Sequence, residues 1–390
     1  MVNRTLVAVA IVVVIAIGAG VFLMQQPAPE QSMAPKPAEQ PPQQEVKPPE
    51  PPKPVVPQEG LSSSLVIALN PRGDINITAA NRALSSEGIA ADKQGRLFLA
   101  DRVTTGEVYM VDPKDPKLVT VAKVSRMEAT RRDGTKSMVI PSLLGMTFDK
   151  QGNLYIASSG LPGQDPAKPL GFILRVDSSK LNPSNPGNAT VWATGVPGAN
   201  GIAFDKNGNL YVSTFGAGII YMVPPTGGEA KVFAEKLGTP NGIAFDKNNV
   251  MYVASTRNAS IWRIELNADG TLKSVAEHIR DPKLVGADGL QVDSAGNIWV
   301  VANARNALVA VTPDKKVIDV SKNDNNGPLE APASLVIVGK TVYIANADFE
   351  ASPAAFGGAA GEPGNRPRLP GAGPGVAKVD IGIEGAPVPP

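Results

Sequence analysis

The chain has 390 residues, a formal net charge of +1, no cysteine and one histidine, His278. Charge near zero excludes the broad basic footprint of a nucleic-acid binder, and the missing cysteines exclude thiol nucleophiles, disulfides and zinc–thiolate sites. A single histidine excludes histidine clusters as well, so any bound metal must be held mainly by oxygen.

Leu6 to Met24, LVAVAIVVVIAIGAGVFLM, is an unbroken apolar run of 19 residues. As a helix it would reach about 28 Å at ~1.5 Å per residue, enough for the hydrocarbon core of a bilayer. Arg4 precedes it, which predicts a cytoplasmic N-terminus. No clean small-x-small cleavage site follows, so residues 1–26 read as an uncleaved signal anchor rather than a removed signal peptide. Pro27 to Gln58 holds 12 prolines among Gln, Glu, Lys and Ala. Such a segment cannot bury a core and is expected to run as a semi-rigid extended tether over residues 27–60. The folded domain is therefore expected over 61–390, on the outer side of the cytoplasmic membrane in a periplasmic or extracellular space.

From residue 87 a phrase repeats: EGIAADKQGRLFLA at Glu87, NGIAFDKNGNLYVS at Asn200, NGIAFDKNNVMYVAS at Asn241 and DGLQVDSAGNIWVV at Asp288. Weaker copies begin at Leu144 and Ala333. Each reads as a short strand, an Asp/Asn/Gly turn and a second strand rich in β-branched and aromatic residues. Third strands follow at Glu107, Phe172, Ile219, Ile261 and Leu308, and fourth strands at Thr190 and Ala230. Six such units spaced 41 to 57 residues apart predict an all-β, six-bladed propeller with four antiparallel strands per blade. The sixth unit lacks a late strand, and SSLVIALN from Ser63 is the expected supplier, joining the two ends of the domain.

The first residue of the phrase varies while its frame does not. In a propeller that position lines the axis at one rim, so the sequence predicts a ring of Glu87, Leu144, Asn200, Asn241, Asp288 and Ala333. Four of these carry oxygen, two as carboxylates and two as amides, a set suited to a hard cation such as Ca²⁺. The competing reading is that Asn-Gly and Asp-Gly are ordinary turn dipeptides. It covers Asn200, Asn241 and Asp288 one at a time and leaves Glu87 without a reason.

The E-G, N-G, N-G, D-G series on a six-bladed frame resembles the regucalcin/gluconolactonase (senescence-marker-protein) family, relatives of diisopropyl fluorophosphatase and paraoxonase. The resemblance covers roughly residues 61–390 and is most specific in GADGLQVDSAGNIWVVAN from Gly286 and TPNGIAFDKNN from Thr239. It implies a catalytic Ca²⁺, or another divalent cation, held by Glu87, Asn200, Asn241 and Asp288. It also implies Asp288 as general base or nucleophile, and Asn200 as ligand or substrate contact. The implied reaction is hydrolysis of a small-molecule lactone or related ester. Where the gluconolactonase pattern has an arginine two residues before the Asn matched by Asn200, this chain has Gly198, which puts sugar-acid recognition in doubt.

Two long connections are expected on the ring face, Ser158 to Leu170 and Ala347 to Gly375; the second offers Arg366 and Arg368 as substrate-binding residues. The charged segment Arg126 to Lys136 enters blade two on the same face. His278 falls on an outer strand, and no G-x-S-x-G nucleophile elbow occurs. The alternatives to a Ca²⁺-dependent hydrolase are a non-catalytic binding propeller and a phosphotriester hydrolase at the same ring. The expected state is a monomeric propeller, membrane-tethered and without nucleic-acid partners.

Overall fold

The structure, a computed structural model, describes residues 55–69, 85–102, 104–168, 170–323, 327–347 and 373–387. These fall in the second of two compact units, Lys53–Pro390. The apolar run, most of the proline-rich stretch, Arg366 and Arg368 lie outside the described residues. Among the described residues no helix is long and apolar enough to cross a membrane.

Among the described residues six blade sheets follow one another along the chain, each built from antiparallel inner, second, third and outer strands. Blade one has inner strand Ile89–Ala91 and blade two Ser142–Phe148; blades three to five start at Ala199–Phe204, Pro240–Phe245 and Ala287–Val292. Blade six comprises Pro332–Val338, Thr341–Asn346 and Gly375–Asp380, and takes its outer strand from Ser63–Ala68. Ser63 pairs with Val379 and Ala68 with Gly375, so the N-terminal end of the domain closes the ring as the sequence predicts. Blades one and two each gain a further two-residue parallel strand, Gly187–Asn188 and Gly228–Glu229, each supplied by the following blade, which the repeat pattern does not reveal.

Strand periodicity explains how the blades stick together. Adjacent residues on a strand point to opposite faces, and here both faces are buried. Phe98 and Ala100 pack toward blade two, whereas Leu97 and Leu99 pack toward blade six. Six apolar clusters result among the described residues, one at each blade interface. The aromatic in each second strand meets the apolar residue near the end of the next inner strand. Phe98–Phe148, Tyr155–Phe204 and Tyr211–Phe245 have ring centroids 4.9, 4.9 and 5.4 Å apart. Such pairs contribute about 0.5–1.5 kcal/mol beyond the area they bury.

The Asp that ends each inner strand of blades one to five closes the turn at the far end of the axis. Asp205 Oδ1 accepts from the N–H groups of Asn207 and Asn209, and its Oδ2 accepts from Asn209 Nδ2, all at 2.9 Å. Asp293 repeats this with Ala295 and Asn297 and adds the indole N–H of Trp299 at 2.9 Å. This is the Asx-turn chemistry that makes DKNGN and DSAGN recur.

The six inner strands surround an axial channel of about 120 Å³, lined by their apolar residues together with Thr147, Gln291 and Ser334 and, at its far mouth, by Ala386 and Pro387. The C-terminal tail is tied there by Gly385 N–H to Gly339 O (2.8 Å) and Ser294 Oγ to Glu384 O (2.8 Å). The opposite mouth carries the ring.

Candidate functional site

Why each ring residue is followed by Gly is answered at the axis. A Cβ on Gly88, Gly145, Gly201 or Gly242 would lie 2.2–2.5 Å from the carbonyl oxygen of Leu144, Asn200, Asn241 or Asp288, the ring residue of the next blade. On Gly289 it would meet Ser334 Cα at 2.5 Å. None of these five glycines has positive φ. They are therefore not turn glycines, and the reading of Asn-Gly and Asp-Gly as turn dipeptides is corrected. They let backbones touch, and so draw the preceding side chains together.

Glu87, Asn241 and Asp288 are 7, 5 and 4% exposed, and Asn200 is partly buried. Burial pushes the Glu87 carboxyl up to about 7, against the opposing pull of the Arg102 guanidinium and the Asn200 amide. Burial and then the Glu87 charge push Asp288 well above the ordinary carboxylate range, against Asn303, Arg102 and Asn241. Two acids from blades one and five thus share one desolvated site with amides from blades three and four. Leu144 and Ala333, 6 and 1% exposed, complete the ring with apolar side chains.

A second ring, missed in the sequence reading, surrounds the first. Fifteen residues after the first five ring positions stand Arg102, Ser159, Phe215, Thr256 and Asn303; Ala347 follows Ala333 by fourteen. Each lies just past, or at the end of, a second strand. The N–H groups of Arg102, Thr256, Asn303 and Ala347 donate to the carbonyls of Ser85, Thr239, Gly286 and Ala331, each two residues before a ring residue. Thr256 Oγ1 accepts from Asn241 Nδ2 (3.2 Å) and donates to Ala287 O (2.7 Å). Asn303 Nδ2 donates to Asp288 Oδ2 at 3.5 Å. The available signal was the constant offset, with a variable residue in a constant frame.

Whether this donor set fits a cation can be tested on its oxygens. Glu87 Oε2 and Asn303 Oδ1 are both buried with no hydrogen-bond partner. An orphaned buried oxygen is costly; one of these belongs to Glu87 itself and the other to the amide that donates to Asp288, so the two acids and that amide form an electronegative pocket whose natural complement is a positive ion. Among the described residues no three His, Cys, Asp or Glu gather, so such an ion would depend on amide oxygens. The set fits a hard cation.

The model of the SMP-30/gluconolactonase/LRE-like region matches residues 86–344. The chain belongs to the SMP-30/gluconolactonase/LRE-like family. No curated protein matches the sequence. Among solved structures, a calcium-binding protein, regucalcin, from Agrobacterium tumefaciens is similar at 15% identity and a TM-score of 0.56, covering 86% of this chain and 99% of that one. A luciferin-regenerating enzyme is similar at 13% identity and 0.57, covering 84 and 98%. The PQQ-bound aldose sugar dehydrogenase of Streptomyces coelicolor is similar at 14% identity and 0.52, covering 83 and 99%. These likenesses show the fold alone, and within it the chemistry is set by the residues of the ring.

The other sequence candidates lie elsewhere. His278 sits half-buried on outer strand Leu272–Arg280 of blade four, edge-on to Tyr252 at 5.4 Å, and burial lowers its pKa. The charged segment that leads into blade two forms a hairpin, Met127–Thr130 with Lys136–Val139. It docks on the connection after Gly160 through Gln164 Oε1, which accepts from Thr130 N–H at 3.0 Å.

Proposed function

We propose that this protein is a divalent-cation-dependent hydrolase, with Ca²⁺ the expected ion, that opens a lactone or related ester at the axial ring. The observation that carries the reading is the convergence of Glu87 and Asp288, both buried and held above their ordinary pKa, with Glu87 Oε2 itself unpartnered and the orphaned Asn303 Oδ1 beside Asp288. Glu87, Asn200, Asn241 and Asp288 would hold the ion, with Asn303 Oδ1 a further donor. When bound, a hard cation supplies Lewis-acid polarisation of a carbonyl oxygen and charge compensation for both acids.

The chain's own residues do the rest. Asp288, as a carboxylate, takes the proton of an attacking water as that water bonds to the carbonyl carbon; the ring C–O bond then breaks and the proton passes to the departing oxygen. The Asn303 and Asn241 amides lower the pKa of Asp288, favouring the ionised base. Thr256, donating to Ala287 O and accepting from Asn241, orients the Asn241 amide. The buried residues Ile89, Met146, Ile202, Ile243, Leu290 and Leu335 of the channel below supply an apolar, low-dielectric part of its wall.

The propeller is proposed to be presented outside the cytoplasm on the 27–60 tether by the Leu6–Met24 anchor, a reading supported by hydropathy and by Arg4. Fractionation of the full chain against residues 59–390 tests that part: both soluble would refute the anchor.

The function is tested with a panel of lactones and aryl esters at fixed Ca²⁺, wild type against Asp288→Asn. Turnover that falls at least ~100-fold in a folded variant supports the hydrolase. Calcium binding without turnover of any ester supports a binding propeller instead, and turnover untouched by Asp288→Asn removes the catalytic assignment.

A further inference from the structure

A buried hydroxyl stands at the seam between Asn200 and Asn241. Two residues before each second-ring residue the six blades carry Ala100, Ala157, Ser213, Ala254, Val301 and Ala345. All six are 0–2% exposed, and of these positions only that of blade three is polar. A buried hydroxyl is costly unless it is bonded. Ser213 Oγ is bonded twice: it accepts from Gly201 N–H at 2.8 Å and donates to Asn241 O at 2.5 Å. The first partner directly follows Asn200 in blade three, and the second belongs to the ring residue of blade four.

The backbone explains what a hydroxyl does at that place. The pairing of inner and second strand in blade three shifts register between Ala199 and Ile202, so Asn200 and Gly201 lie on a bulge. Blades four and five shift likewise between Pro240 and Ile243 and between Ala287 and Leu290, across Asn241 and Asp288. A bulge re-aims side chains and leaves backbone groups outside the ladder. In blade three Ser213 takes up the Gly201 N–H. The same oxygen holds the Asn241 carbonyl, which rests so close to Gly201 that a Cβ there would lie 2.3 Å from it. On the other side of Asn241, Thr256 Oγ1 accepts from its Nδ2 and donates to Ala287 O, one residue before Asp288. Hydroxyls thus fasten blade three to blade four and blade four to blade five at the level of the ring. Asn241 is held from both seams, by its carbonyl and by its amide.

We propose that Ser213 is a positioning residue that fixes the spacing of the Asn200 and Asn241 amides and so sets the ion size the ring prefers. The inference rests on the cation reading above. Ca²⁺ takes oxygens at about 2.3–2.6 Å and Mg²⁺ at about 2.0–2.1 Å, and a site separates the two by its size, ligand number and rigidity. Without the hydroxyl, Gly201 N–H and Asn241 O lose the partner they share, and the seam between blades three and four loosens at the bulge. Ser213 acts through the backbones that carry two ligands and is not itself a ligand.

The test titrates Ca²⁺ and Mg²⁺ separately into the metal-free full chain by calorimetry, for wild type, Ser213→Ala, Ser213→Thr and Thr214→Val. Alanine occupies the matching position in four other blades, so Ser213→Ala suits the fold. Thr214 is the control: it is equally buried and next in the strand, but its hydroxyl donates to Ile219 O at 3.0 Å, inside blade three. Wild type is expected to bind Ca²⁺ at least ~10-fold more tightly than Mg²⁺. Ser213→Ala should lose about tenfold in Ca²⁺ affinity and less than about threefold in Mg²⁺ affinity, so that the preference shrinks. Ser213→Thr keeps the hydroxyl and should restore the preference to within about threefold of wild type. Thr214→Val should melt at a lower temperature with the wild-type preference intact.

A Ser213→Ala protein with wild-type affinity for both ions overturns the inference and leaves the cation reading standing. So does one that loses Ca²⁺ and Mg²⁺ affinity in equal measure, or a Thr214→Val protein that shifts the preference as far as Ser213→Ala; either would make Ser213 a structural bond only. Wild type that binds neither ion removes the cation reading, and the inference with it.

Discussion

Asn303 Nδ2 donates to Asp288 Oδ2 at 3.5 Å while Asn303 Oδ1, at the other end of the same amide, is buried without a partner. One end of this side chain thus steadies the proposed base, and the other presents a bare oxygen to the same pocket. Thr256 meets Asn241 at the same offset of fifteen residues. In blades four and five the second-ring residue therefore holds the first-ring residue of its own blade.

Calcium binding is expected to require both acids. Calorimetry on residues 59–390 should give about one Ca²⁺ per chain for wild type, weakened at least ~10-fold, or about 1.4 kcal/mol, by Glu87→Gln and by Asp288→Asn. In chelator the same variants should melt no lower than wild type, since each removes a buried like charge. Equal calcium affinity in all three proteins would dismiss the ring as a metal site.

The metal-free protein should lose stability as pH rises from about 4.5 to about 7. Glu87 has an ordinary pKa of 4.5 and is pushed to about 7 in the fold. Between those values the native state holds the extra proton, so stability falls with rising pH by a few kcal/mol. Asp288, also raised, acts in the same direction. Calcium needs the ionised acids, so its stabilisation should be larger at pH 8 than at pH 5. Urea midpoints at the two pH values, with calcium and with chelator, measure this; a calcium increment independent of pH would contradict it.

Asn303→Leu removes both the donor to Asp288 and the bare Oδ1. The pKa of Asp288 should rise, because the bond it loses favours the ionised form. The acid limb of the kcat/KM profile should therefore move to higher pH, with calcium affinity down about tenfold. An unmoved limb would assign Asn303 to packing alone.

Gly242→Ala places a methyl group 2.5 Å from Asp288 O and 2.8 Å from Gly289 Cα, both backbone atoms. The inner strands of blades four and five must then part, at a cost of about 1–3 kcal/mol. Calcium affinity should fall with stability, because Asn241 and Asp288 are carried by those strands. Gly208→Ala, where positive φ is strained but the nearest atoms are 3.8 Å away, should lower the urea midpoint without changing calcium affinity. A Gly242→Ala protein with wild-type midpoint would show that the axis has slack.

Legibility in the sequence followed periodicity. Strand alternation, the Asp-x-x-x-Asn turns and a phrase repeated at blade spacing determined the six blades, their strand order and the closure by Ser63–Ala68. All of these depend on contacts within one repeat or with its neighbour. The first ring was legible for the same reason, since equivalent positions of a closed repeat must meet at the axis. The tertiary structure alone separated the axial glycines from turn glycines, because a Cβ clash involves a carbonyl 40 to 60 residues away. It also placed Asn303 at the site and tied the C-terminal tail across the far mouth. Those assignments depend on desolvation and on distances across the axis, which arise only when the ring is closed.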